Sequence, residues 1–147
     1  MEKHIKISGL YIATLKAIAL ISQNAHWQSK GSNSYGNHLL FERIYNSALE
    51  NLDLAAEKLV GLFGDQVLDY EMQVQFLTSV MQKYKNFDGS FASMCLAIET
   101  DFLKLSQQAF NHFEENDKMT LGLNDAISLI ANKREEAIYL LKQSLEK

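Results

Sequence analysis

From Tyr35 to Phe63 the chain contains no proline, and its apolar residues recur at helical intervals. A proline inside a helix removes a backbone donor and clashes with the preceding turn, so this stretch predicts one long uninterrupted helix. The helix carries two pairs of potential metal ligands. His38 and Glu42 are four residues apart and share a face, as do Asp53 and Glu57. Eleven residues separate Glu42 from Asp53, close to three whole turns, so both pairs fall on one stripe.

Within one chain the two pairs cannot hold the same ion. Eleven helical residues span about 16 Å, whereas metal bonds to nitrogen and oxygen are roughly 2 Å, as for zinc. They meet if a second copy of the helix packs antiparallel across a two-fold axis, so that His38 and Glu42 of one copy face Asp53 and Glu57 of the other. Such an isologous arrangement makes two identical sites per dimer. His26, twelve residues before His38, is a fifth potential ligand.

The region from His26 to Gly64 resembles the DNA-protection-during-starvation (Dps) proteins, the mini-ferritins. The resemblance is carried by His26-Trp27, Gly31, His38, Phe41-Glu42, Tyr45 and the run Asp53-Leu54-Ala55-Ala56-Glu57-Lys58. All five ligand positions fall at the family's intervals. Ser34 and Asn37 stand where the family usually has an aromatic and an aliphatic residue, and Lys58 replaces Arg; none of the three is a ligand. The resemblance is close over about 24–64 and elsewhere rests on the lengths and order of the helices.

Four long helices are expected, at about 5–29, 35–63, 88–116 and 123–145. In the first, Ile12, Ala19 and Leu20 widen the apolar stripe, as a helix touching a neighbouring subunit would require. Residues 29–34 carry turn chemistry, and Gly61 and Gly64 are expected to close the second helix. Residues 65–87 are too long for an up-and-down loop, so they form a crossover with its own amphipathic helix, about Met72 to Tyr84, with Val74, Leu77, Val80, Met81 and Tyr84 as the apolar set. Asp88 or Ser90 is positioned to cap the third long helix. Lys142 and Lys147 lie near the end of the fourth, where cations complement the helix dipole. The expected fold is all-α: a ferritin-like four-helix bundle with a long crossover carrying a short extra helix, in a single domain over 1–147.

Ordinary ferritins place a di-iron site inside the bundle with Glu-x-x-His motifs on two helices. No Glu here is followed by His three residues later, so a site at an interface explains the ligands better. There is no Gly-rich phosphate loop and no Cys-x-x-Cys pair. The single Cys95 excludes an internal disulfide framework and suits a reducing cytosol. No run of about 18 apolar residues and no signal peptide is apparent, so neither a membrane span nor export is expected.

Taken singly, each of the five residues reads as a solvated surface group; together, at these offsets, they read as a metal site. Trp27 is expected to anchor a core or an interface, with radical quenching beside the site as a further family role. His4 and His112 are expected on the surface, Cys95 in the core as an inert thiol, and Met72, Met81, Met94 and Met119 as core filler. Asp117 and Asp125 flank the start of the fourth helix. In the family such acids line pores that admit iron; acids there also suit the helix dipole.

Mixed imidazole and carboxylate ligands suit Fe(II), with zinc as a substitute. Anionic oxygen favours Fe(III) over Fe(II), so such a site eases electron loss. The expected core is His38 and Glu42 from one chain with Asp53 and a central Glu57 from the other, and His26 completing a second position. The resemblance implies the rest: a hollow dodecamer that binds Fe(II) at interfacial sites, oxidises it preferentially with hydrogen peroxide and stores ferric mineral in the cytoplasm. The competing class is a DNA-compacting protein of the same fold with little ferroxidase activity. A net charge of −4 and a pI near 5.5 argue against strong phosphate-backbone binding. Lys3, Lys6 and Lys147 are the only cations expected in terminal arms, so DNA binding is expected to be weak or absent. A third reading is a catalytically silent bundle that holds zinc.

Overall fold

A computed structural model describes residues 1–146. Its helices are α1 (Lys3–Gln28), α2 (Ser34–Phe63), α3 (Tyr70–Gln82), α4 (Phe91–Glu115) and α5 (Leu121–Leu145), with one 3₁₀ turn at Asp65–Leu68. There is no strand among the described residues. The expected all-α bundle with a helical crossover is the observed one. Lys147 lies outside the described residues.

Packing closes a ring of four long helices: α1 meets α2 and α4, and α5 meets α2 and α4. The crossover helix α3 lies against α1. Covered on three sides, α1 is apolar nearly all round, with Ile12 and Leu15 fully buried. By length and composition α1 could cross a membrane, yet 72% of that apolar window is buried inside the bundle. The wide stripe therefore has a cause within the chain. Ile12 and Ala19 are buried in the protomer, and of that set only Leu20 is exposed. The buried serine hydroxyls on α1 are satisfied locally, Ser8 donating to the His4 carbonyl and Ser22 to that of Ile18.

A close approach fixes α3. A Cβ on Gly9 would lie 2.4 Å from Cε of Met72, so the bare backbone at Gly9 lets α3 settle onto α1. Asp69 caps α3, accepting from Met72 N–H at 2.9 Å, which starts the helix two residues before the expected Met72. Met72, Val80 and Tyr84 are buried. Val74 is not part of the inward set; it is 64% exposed, because α3 presents only one narrow face to α1.

Helix ends follow side-chain chemistry. Ser90, rather than Asp88, caps α4 by accepting from Ser93 N–H. Thr120 caps α5 through Leu123 N–H, two residues earlier than expected. Gly64 alone closes α2: it sits at φ +88° and donates to the Val60 carbonyl at 2.8 Å, while Gly61 is within the helix.

Candidate metal centre

The turn between α1 and α2 brings His26 and His38 face to face. Gly31 sits at φ +94°, a left-handed conformation that lets the chain reverse within five residues. His26 lies in the last turn of α1 and His38 in the second turn of α2. Their rings stack at 3.7 Å between centroids and 22° between planes.

Reciprocal hydrogen bonds hold the stack. Nδ1–H of His26 donates to the His38 carbonyl at 2.8 Å, and Nδ1–H of His38 donates to the His26 carbonyl at 2.9 Å. A carbonyl can only accept, so Nδ1 carries the proton on both rings. In a neutral imidazole that leaves Nε2 as the lone-pair nitrogen. Each ligand histidine of a metal site commonly has its other nitrogen tied in this way. Here each one's backbone serves the other's ring.

Glu42, one turn beyond His38, completes the group. One donor atom from each of His26, His38 and Glu42 lies within 4.8 Å of the others, all three residues being half-buried. Among the described residues this is the one such cluster of three or more. The edge of Tyr45 rests against His26, with centroids 5.4 Å apart. Arg43, next to Glu42, forms an exposed ion pair with Glu136 of α5.

Asp53 and Glu57 are exposed on α2 and are not brought to this cluster within the protomer. This agrees with the length of helix between the pairs. Trp27, beside His26, is 65% exposed, so it is not a core anchor of its own protomer. Asp117 and Asp125 are exposed and belong to no metal cluster. His4 departs from the expected surface position: its ring packs edge-on to Phe63 at 5.0 Å and meets Glu2 at 3.2 Å. His112 is likewise half-buried, against Phe113 and Asn116. Cys95 is buried, and burial pushes its thiol up to about 12. Met72 is buried, and Met81, Met94 and Met119 pack against the core.

The bundle interior holds a feature the sequence reading passed over. Glu99 of α4 and Arg134 of α5 are both 0% exposed, with Nε and Oε2 3.1 Å apart. The contact is close but poorly aligned, leaving both atoms without a directed hydrogen bond. Burial pushes the Glu99 carboxyl up to about 7, and Arg134 pulls it back only in part. A signal was present: Glu99 and Arg134 interrupt apolar stripes that run from Cys95 to Phe102 and from Ile130 to Ala137.

No family model matches the chain. Among solved structures, Dps from Thermosynechococcus elongatus superposes with a TM-score of 0.82 at 19% identity, covering 99% of this chain and 92% of that one. Dps from Microbacterium arborescens in the high iron form superposes at 0.76 with 17% identity, covering 100% and 98%. The chain has the Dps mini-ferritin fold. At such low identity the likeness is carried by architecture: four long helices, the crossover helix and their order, over nearly the whole of each chain. On this Dps fold His26, His38 and Glu42 converge where α1 turns into α2.

Proposed function

We propose that this protein is an iron-storing ferroxidase of the Dps type, with sites completed between two copies of the chain. The observation that carries the reading is the convergence of His26, His38 and Glu42 with both Nε2 atoms left free by reciprocal Nδ1 bonds. That geometry supports a half-site able to take a divalent ion without rearranging its imidazoles. Asp53 and Glu57 of a second copy supply the remaining carboxylates, as the eleven-residue offset along α2 requires. The likeness to a Dps in the high iron form supports iron as the substrate.

Two Fe(II) ions at such a paired site each lose one electron. Hydrogen peroxide takes both, its O–O bond breaks, and two protons complete two waters. Pairing the electrons avoids release of a hydroxyl radical. Carboxylates from both copies favour the ferric product, because the more highly charged ion gains more from anionic oxygen. The Fe(III) then hydrolyses to mineral inside a hollow homo-oligomer, a dodecamer in this reading, within the cytoplasm. Zinc occupies the same ligands without turnover. With a net charge of −4, binding to DNA is weak or absent at physiological salt.

The test is Fe(II) oxidation followed by absorbance after peroxide is added to anaerobically loaded protein. The native chain is compared with Asp53→Ala and His38→Ala, all checked for assembly size. Rapid oxidation lost in both variants supports the shared site. Equal rates in all three would refute it and favour a zinc-holding or DNA-binding bundle; a stable gel shift at moderate salt would favour the latter.

A further inference from the structure

Ser47 lies five residues after Glu42 and six before Asp53, midway between the two ligand pairs of α2. At about 100° per residue it points roughly 140° away from Glu42, into the bundle rather than along the ligand stripe. There its Oγ accepts from Nη2 of Arg134 at 2.6 Å and donates to the Ile44 carbonyl at 3.1 Å. The same guanidinium faces Glu99 across the bundle. A chain of polar groups, buried at Glu99 and Arg134 and half-buried at Ser47, thus runs from α4 through α5 to the midpoint of the helix that carries four of the five candidate ligands. Tyr11 of α1, Asn51 of α2, one turn beyond Ser47, and Ser106 of α4 are among the other polar groups buried in the bundle.

We propose that Arg134, held by Glu99, is a positioning residue that fixes α2 through Ser47 and so sets how the two outward ligand pairs are presented. The inference rests on the metal-site reading above. Three observations favour the inner chain over the outer clamp between Arg43 and Glu136. Both inner charges are fully buried, so water does not screen them. The outer pair is exposed on both sides, the class of contact that contributes little. The inner contact also joins the guanidinium to the α2 backbone, through the Ile44 carbonyl, rather than to the tip of a surface side chain. A shift of α2 about Ser47 would move both ligand pairs, because each lies within about three turns of it.

The experiment uses the assembled full chain and Co(II) alone as probe, reading affinity and the visible ligand-field band at about pH 8, where the Glu99 carboxylate is ionised. Ser47→Ala is expected to weaken Co(II) binding about three- to tenfold and to alter the band, at unchanged assembly size. Ser47→Thr, which keeps the hydroxyl, is expected to restore both. The double variant Glu99→Leu/Arg134→Met removes the charges together and keeps a packed core, and it is expected to show the same loss as Ser47→Ala. Glu136→Gln is expected to have no effect. Wild-type affinity and band in both Ser47→Ala and the double variant would overturn the proposal, provided that His38→Ala has lost binding. If His38→Ala also binds as wild type, the metal-site reading fails and the positioning role falls with it.

Discussion

Removing Arg134 alone should cost more than removing it together with Glu99. In Arg134→Met the Glu99 carboxylate stays fully buried with no cation within reach. Breaking a buried pair from one side typically costs about 3–5 kcal/mol, whereas replacing both partners with apolar groups of similar volume is often near neutral. For a chain of this length that is a fall in melting temperature of about 10 °C. Glu99→Leu should cost a similar amount, because a guanidinium cannot shed its proton. The double variant Glu99→Leu/Arg134→Met should recover to within about 1 kcal/mol of wild type. The two single variants should differ in their pH response. The folded-state pKa of Glu99 lies above its ordinary 4.5, at about 7. A carboxyl raised in this way favours the folded state while protonated, and that contribution disappears as pH rises through the folded value. Without Arg134 the value rises further, so the deficit of Arg134→Met should be small near pH 5, grow by about 1.4 kcal/mol per pH unit between the wild-type value near 7 and the new, higher pKa, and level off above it. Glu99→Leu should show no such relief in acid. The assay is thermal melting at fixed protein concentration across pH, since assembly makes the midpoint concentration-dependent. A double variant that loses the sum of the two singles, or an Arg134→Met deficit flat with pH, would refute the reasoning.

Other consequences are simpler to check. His26→Ala removes one of two mutually supporting rings, so Fe(II) oxidation should fall about tenfold or more; an unchanged rate would exclude that imidazole from the site. Cys95 should not react with a thiol reagent in the native protein at neutral pH, since its pKa lies near 12 and it is buried. Labelling should appear only with unfolding, and fast native labelling would contradict its placement. Gly64→Ala should destabilise by about 1 kcal/mol because the residue sits at φ +88°, a change measurable by denaturant melting. Ser90→Ala removes the cap on Ser93 N–H and should cost about 1 kcal/mol in the same assay.

Helix positions, the shared stripe of His38, Glu42, Asp53 and Glu57 on α2 and the need for a crossover were legible in the sequence, because each is a matter of local period and spacing. A 3.6-residue repeat records which face of a helix is apolar, and offsets of four and eleven record which polar residues share a stripe. The expected helix limits fell within a few residues of the observed ones, and the misses at α3 and α5 came from caps, Asp69 and Thr120, that lie outside the apolar pattern.

Periodicity does not record what covers a face. The wide stripe of α1 fits a neighbouring subunit or a third helix equally well in one dimension, and only the packing of α3 onto Gly9 showed that a third helix covers part of it, while Leu20 stays exposed. The pairing of His26 with His38 depended on the turn at Gly31, and their free Nε2 atoms depended on carbonyls that any residue would have supplied. Glu99 and Arg134 stood in plain view as breaks in two apolar stripes, yet that they face each other is a property of how α4 and α5 lie side by side. The chain alone determines its helices and the candidate metal ligands they offer. Tertiary structure decides which donors meet, because contact between residues far apart in sequence is fixed by how faces pack, and each face is compatible with more than one partner.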